Sequence, residues 1–336
     1  MHLVKDNNFE ITITDKNDKE VKQIIDELID KPGCKNTDRS YKSDLKIFWC
    51  WAKLRHNVEQ HYPVDKDLLL SFVARHSALP DKHIDFEMVQ MGIRKKTGPY
   101  KISTLRRFIY TLSREHTRRD VENTTKYPKI HLLLRNLGKN IPELKKSRKK
   151  ALTVDLIHKM CSTCNDKLVD MRDKALLMTM FASGGRRRSE IVNLQMEDVE
   201  KQNDGFLLTF RATKNGDDLV VPIEGKAANA LTEWLHASKV CEGAVFRALT
   251  GNKQIGAQLN DRWVHQIVKS RLIKAGIDPK GYSSHSIRSG FVTSCAEAGI
   301  TLAQTMSLSA HKTHQIALDY YRPGDLVLNP ATIIME

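Results

Sequence analysis

Apolar positions in the first third of the chain recur with helical spacing. Val21, Ile24, Ile25, Leu28 and Ile29 share one face, and Pro32-Gly33 ends the run. A second helix is expected after Thr37 or Asp38, carrying Tyr41, Leu45, Phe48, Trp49 and Ala52. A third follows Pro63 and holds Leu68, Leu69, Phe72 and Val73. Ser103 reads as the N-cap of a fourth, with Leu105, Phe108, Ile109 and Leu112 on its apolar stripe. A shorter helix is predicted over 130–137, and four or five such elements make a bundle.

Farther along, Thr153 is expected to cap a helix reaching about Cys164. Residues 171–183 form a strongly apolar helix, and 188–196 another. The period then changes. Phe206-Leu-Leu-Thr-Phe210 and Leu219-Val-Val-Pro-Ile223 are β-rich runs flanking Asn215-Gly216, a hairpin signal. Helices return over 226–238, 259–275, 286–298 and 314–321, the last ended by Pro323-Gly324. The expected fold is mainly α with one small β-hairpin or sheet. The order of parts is a polar extension (1–20), a helical domain (21–140), a basic linker (141–152), a mixed α/β domain (153–323) and a short tail (324–336). The linker has five cationic residues among positions 145–150. It reads equally as a solvated connector or as a cationic segment along a DNA backbone, through Lys145, Lys146, Arg148, Lys149 and Lys150.

Charge narrows the choice of partner. Lys and Arg number 54 against 40 Asp and Glu, a formal net charge of +14. Such a surplus points to a polyanion, most often nucleic acid, although charge alone does not imply reading or cutting it. No run approaches the apolar length of a membrane span, and the first residues lack a secretory h-region, so a cytoplasmic protein is expected. Six cysteines do not make a disulfide framework. His158, Cys161 and Cys164 recur every three residues, but a fourth ligand is not evident. Reduced thiols are the favoured reading, and no metal is expected.

Four segments carry candidate chemistry. Gly184-Gly-Arg-Arg-Arg-Ser-Glu190 follows an apolar helix with three successive arginines, whose forked guanidiniums match phosphate oxygens. His285-Ser-Ile-Arg288 places two side chains on one face of a helix start, where the dipole favours an anion. Lys214 precedes the hairpin turn. His311 stands nine positions before Tyr320 in Ala-His-Lys…Tyr-Tyr. Each is unremarkable alone.

In that order, these segments resemble the tyrosine recombinase (phage integrase) family over about residues 153–323. Gly185-Arg-Arg-Arg-Ser-Glu-Ile-Val-Asn-Leu194 is similar to the G-x-R-x-S-E-x-x-x-L box, with Arg187 in the catalytic register. Arg186 and Arg188 stand where apolar residues are more usual. His285 and Arg288 match the second box, and His311 the third, where Ala310 replaces the usual glycine. Tyr320 matches the nucleophile and Lys214 the hairpin lysine. The resemblance implies a helical, SAM-like core-binding domain and a catalytic domain forming a C-shaped clamp on DNA. It implies cleavage and rejoining through a 3′-phosphotyrosine, without metal, ATP or other cofactor. It also implies a double-stranded recombination site as partner and a homotetramer when two sites synapse, with Arg106 and Arg107 as further DNA contacts in the first domain. Arg187 and Arg288 would neutralise phosphate oxygens, and His285 and His311 would donate hydrogen bonds or move protons. Lys214 would protonate the leaving 5′-hydroxyl. Two alternatives are a type IB topoisomerase and a catalytically silent DNA-binding protein of the same fold. The apolar tail residues Leu326, Val327, Leu328, Ile333 and Ile334 are expected to dock, on a second subunit or on their own.

Overall fold

The computed structural model describes residues 35–145, 149–211, 218–250, 254–311 and 313–325, together with 21, 23 and 24 in helical conformation. The helix expected over 21–29 therefore falls mostly outside the described residues. The polar extension, Lys146, Arg148, Lys214 and the tail 326–336 do so entirely. The chain divides into two compact units, 1–147 and 148–336.

The first unit is helical: α1 (Lys35–His56), α2 (Lys66–Arg75), α3 (Lys82–Gln90), α4 (Ile102–Arg118) and α5 (Pro128–Asn140). Helix α2 starts where Asp65 accepts from the backbone N–H groups of Asp67 and Leu68 at 2.8 and 2.9 Å, the usual N-cap exchange. Its buried face, Leu68, Leu69, Phe72 and Val73, is the predicted stripe. Phe72 lies edge-on to Trp51 of α1 and Phe108 of α4, with ring centroids 5.1 Å away in both cases. Asp44 is buried on α1 and accepts a two-pronged bond from Arg107 of α4 at 2.7 and 2.8 Å, plus the Thr111 hydroxyl at 3.2 Å. Three expectations need correcting. Helix α3 was not foreseen, although Asp81 caps it by accepting from Ile84 N–H. Helix α1 begins at Lys35, ahead of Thr37. Ser103 lies inside α4, whose N-cap is Lys101 without a side-chain bond.

The second unit holds α6 (Val154–Cys161), α7 (Leu168–Ala182) and α8 (Arg188–Val192), then β1 (Val199–Lys201), β2 (Gly205–Phe210) and β3 (Leu219–Glu224). Helix α9 (Gly225–Ser238), β4 (Arg247–Leu249) and β5 (Ile255–Gln258) follow. The chain continues through α10 (Asp261–Lys274), α11 (His285–Glu297), α12 (Leu302–Ser309) and α13 (His314–Asp325). Strands β1, β2 and β3 form one antiparallel sheet. Its register pairs Phe206 with Ile223 and Leu208 with Val221, so alternate residues enter the core. The β4–β5 pair is a second sheet where one was expected.

Trp234 of α9 is fully buried and donates to the Val245 carbonyl at 2.9 Å. Helix α11 runs through the interior against the segment before α6. A Cβ on Gly290 would lie 1.8 Å from the Leu152 carbonyl oxygen, so only glycine allows that approach.

Here too the boundaries differ. Helix α6 stops at Cys161, and α8 ends at Val192 because a 3₁₀ turn, Met196–Asp198, leads into β1. Helix α12 was missed despite its capping box, in which the Thr301 hydroxyl accepts from the Gln304 N–H and the Gln304 side chain accepts from the Thr301 N–H. Helix α13 continues through Pro323-Gly324 to Asp325. In a last turn the proline removes only one ladder donor. The carbonyl of Tyr320 there accepts the Thr293 hydroxyl of α11 at 3.1 Å.

Candidate active site

The site is built where a glycine turn meets the ends of two helices. Gly184 and Gly185 adopt φ of +90° and +68°, the left-handed region that favours glycine. A Cβ on Gly184 would stand 2.3 Å from the Leu308 carbonyl oxygen of α12. One on Gly185 would stand 2.5 Å from Arg288 Cα of α11. Side chains at either position would push the turn away from both helices. The three arginines that follow then diverge.

Arg186 is fully buried, donates to the Leu308 carbonyl at 2.7 Å, and has its guanidinium 5.6 Å from the Phe210 ring centre. Its Nε has no hydrogen-bond partner. Burial is the main reason its pKa falls below the ordinary arginine value. Arg187 precedes α8. Glu190 accepts from its backbone N–H at 3.0 Å and from its guanidinium. Arg188 points outward and pairs with Asp261 at the start of α10, 3.1 Å away.

Arg288 is buried on α11, one turn beyond the exposed His285. It donates to the Gly185 carbonyl at 3.3 Å, the Ser309 carbonyl at 2.6 Å and His311 Nε2 at 3.2 Å. Burial, then repulsion from Arg187 and Arg186, lowers its pKa to about 10. His311 is lowered to about 4 by burial and by Arg288, Arg187, His285 and Arg186, so it is neutral at pH 7. Three guanidiniums against the single carboxylate of Glu190 leave a surplus of two positive charges at this locus. A pocket of about 230 Å³ opens among Arg186, Arg187, Arg188, Ser189, His285 and Arg288.

The two tyrosines separate cleanly. Tyr320 lies edge-on to His285, with ring centroids 6.5 Å apart. Tyr321 donates its hydroxyl to the Ile300 carbonyl at 2.6 Å. Successive helical residues point about 100° apart, so the two rings serve different surroundings.

The structure thus brings Arg187, His285, Arg288, His311 and Tyr320 together, with Arg186 beneath them. Lys214 lies outside the described residues. Arg106, Lys145, Lys149 and Lys150 are exposed, whereas Arg107 is tied to Asp44. His158 is exposed while Cys161 is buried, its thiol pushed up to about 12 by burial, so the two do not converge. Among the described residues no group of three or more His, Cys, Asp or Glu could hold a metal ion. No described helix is long and apolar enough to cross a membrane. Sequence reading did not single out Ser309, whose hydroxyl lies 2.7 Å from His311 Nδ1. It also missed the burial of Arg186, which depends on the Gly184–Leu308 approach. The only local signal for either was the glycine pair.

The sequence model of the phage integrase family matches residues 150–325. The chain belongs to that family, the family of the tyrosine recombinases. An integrase/recombinase XerD homolog of Selenomonas ruminantium is 32% identical over 171 residues, covering 48% of this chain and half of that protein's length. The tyrosine recombinase XerD of Proteus mirabilis is 26% identical over 313 residues, covering 89% of this chain and 88% of its own. In structure the chain is similar to a lambda integrase dimer bound to a COC′ core site, with a TM-score of 0.57 at 13% identity over 90% of this chain and 94% of that one. The Tn1549 transposon integrase in complex with transposon right end DNA gives a TM-score of 0.57 at 16% identity, covering 92% and 97%. At these identities the two structures speak for the fold.

Proposed function

We propose that this chain cuts and rejoins DNA strands at a specific site, with Tyr320 as nucleophile. The phenolic oxygen attacks phosphorus, the bond from phosphorus to the 5′ oxygen breaks, and the strand end is held as a 3′-phosphotyrosine. The released 5′-hydroxyl needs a proton, for which Lys214 is the candidate. Attack by another 5′-hydroxyl reverses these steps. The bond energy stays in the tyrosyl phosphate, so the reaction so written needs neither metal nor nucleotide. A pentavalent transition state carries two negative charges, matching the cationic surplus at the site. Arg187 and Arg288 would face its non-bridging oxygens. A free tyrosine ionises near pH 10, and the adjoining cations lower the cost of its phenolate. His285, against the Tyr320 ring, is the proposed base.

The partner is a double-stranded recombination site, with four protomers assembling when two sites synapse. Arg106, Arg107, Lys145, Lys146, Arg148, Lys149, Lys150 and Arg188 are proposed to line its phosphates; Arg186, expected among them, is fully buried and braces the Leu308 carbonyl instead. In this reading the first unit is the core-binding domain and residues 153–323 are the catalytic domain. The relatives' names and the DNA-bound neighbours support the assignment. The observation that carries it is the position of Tyr320 beside His285 while Tyr321 is bonded to Ile300.

Trapping the covalent adduct on a nicked duplex tests it. Tyr320→Phe removes one oxygen, so DNA binding should persist while the adduct disappears, and Tyr321→Phe should still form it. Mass spectrometry that locates the phosphate on Tyr321 would refute the assignment.

A further inference from the structure

Three hydrogen bonds meet where α12 ends. Ser309 is fully buried there, and its hydroxyl lies 2.7 Å from His311 Nδ1. Its carbonyl accepts from Arg288 Nη2 at 2.6 Å, while Arg288 Nε–H points at His311 Nε2 from 3.2 Å. A guanidinium has donors only, so Nε2 must present a lone pair to it. A neutral imidazole with its lone pair on Nε2 carries its proton on Nδ1, and Ser309 Oγ is then the acceptor. The bonds themselves select the tautomer. It is the less favoured one for a free imidazole, so something must hold it.

We propose that Ser309 is a positioning residue: its hydroxyl fixes His311 as the Nδ1–H tautomer, and its carbonyl and that imidazole together orient the Arg288 guanidinium toward the phosphate pocket. Arg288 has five N–H groups. One on each nitrogen is taken up by His311, Gly185 and Ser309, which leaves two for a bound phosphate. In the DNA-free protein His311 is thus an acceptor for Arg288. The low basicity of His311 keeps this arrangement intact well below neutral pH. The catalytic consequence rests on the strand-transfer reading above, whereas the tautomer does not.

The test is ¹⁵N NMR of protein labelled at histidine, free of DNA, alongside single-turnover cleavage of a nicked duplex. Wild type should show His311 protonated at Nδ1 and bare at Nε2. Ser309→Ala should shift the proton to Nε2, and that nitrogen can no longer accept from Arg288. Cleavage should then slow by about tenfold, the scale of one lost hydrogen bond, with DNA affinity unchanged. Ser309→Thr, which keeps the hydroxyl, should restore tautomer and rate. An Nε2–H tautomer in wild type overturns the proposal without needing any variant to fold. A shifted tautomer with an unchanged rate overturns the link to Arg288. If the Nδ1–H tautomer is found but no variant, nor wild type, forms an adduct, the strand-transfer reading fails while the assignment of Ser309 to His311 stands.

Discussion

Arg271 and Arg288 are both buried in the second unit, and their surroundings are opposite. Arg271, on α10, reaches two carboxylates of α7: it donates to Asp173 at 2.6 and 2.9 Å and also to Asp170. Burial alone would depress its pKa, but bonds and attraction from Asp170 and Asp173 more than offset this and hold it above the ordinary value. Arg288 meets two carbonyls and a neutral imidazole, with two other guanidiniums nearby, and its pKa falls instead to about 10. One charge is neutralised by the fold and joins two helices. The other remains short of negative charge until an anion arrives. A buried cation is therefore informative about function chiefly through what faces it.

The comparison can be broken most directly at Arg288. Replacing it by Ala should lower strand cleavage by about 10²–10³, the range for losing one preorganised donor to a developing oxyanion. Thermal unfolding should change little, because a poorly compensated charge leaves with the side chain. A large loss of stability in that variant would place Arg288 beside Arg271 and undo the distinction. Arg271→Met should behave conversely. It removes the cation shared by Asp170 and Asp173, which keep only Lys274 and Arg172, costing about 3 kcal/mol in the second unit, read by denaturant titration. If Arg271→Met were instead stable and inactive in cleavage, the seam between α7 and α10 would have a role beyond structure. The smallest effect is expected at Ala310, which ends α12 at φ +52°. Ala310→Gly relieves a left-handed alanine and should raise stability by about 0.5–1 kcal/mol, measured by the same titration. No gain would mean that strain is not concentrated next to the unsettled cation.

The sequence resemblance has glycine at position 310, and the backbone now gives the reason: a helix end in left-handed conformation. Elsewhere, what could be read from sequence was what repeats locally. The stripe of α2, the alternation in β2 and β3, and the three-residue step from His285 to Arg288 are all fixed by neighbours along the chain. Helices α3 and α12 have good caps at Asp81 and Thr301, but they are short, and their few turns give little periodicity to detect. Pro323 misled because its position in the last turn matters more than its identity. The Ser309–His311–Arg288 bonds were hidden for another reason. They exist only because two glycines let one turn approach two helices, a tertiary fact that spacing does not encode.

The bond from Thr293 to the Tyr320 carbonyl bears on how work would be shared in the proposed assembly of four protomers. It ties the helix bearing the proposed nucleophile to the helix bearing His285 and Arg288 of the same polypeptide. Each active centre would then be self-contained, donating its own tyrosine in cis. A subunit with an impaired tyrosine could not borrow one from its neighbour, and one with an intact tyrosine could not lend it. In an assembly of several copies, damage would stay with the strand that the damaged copy holds.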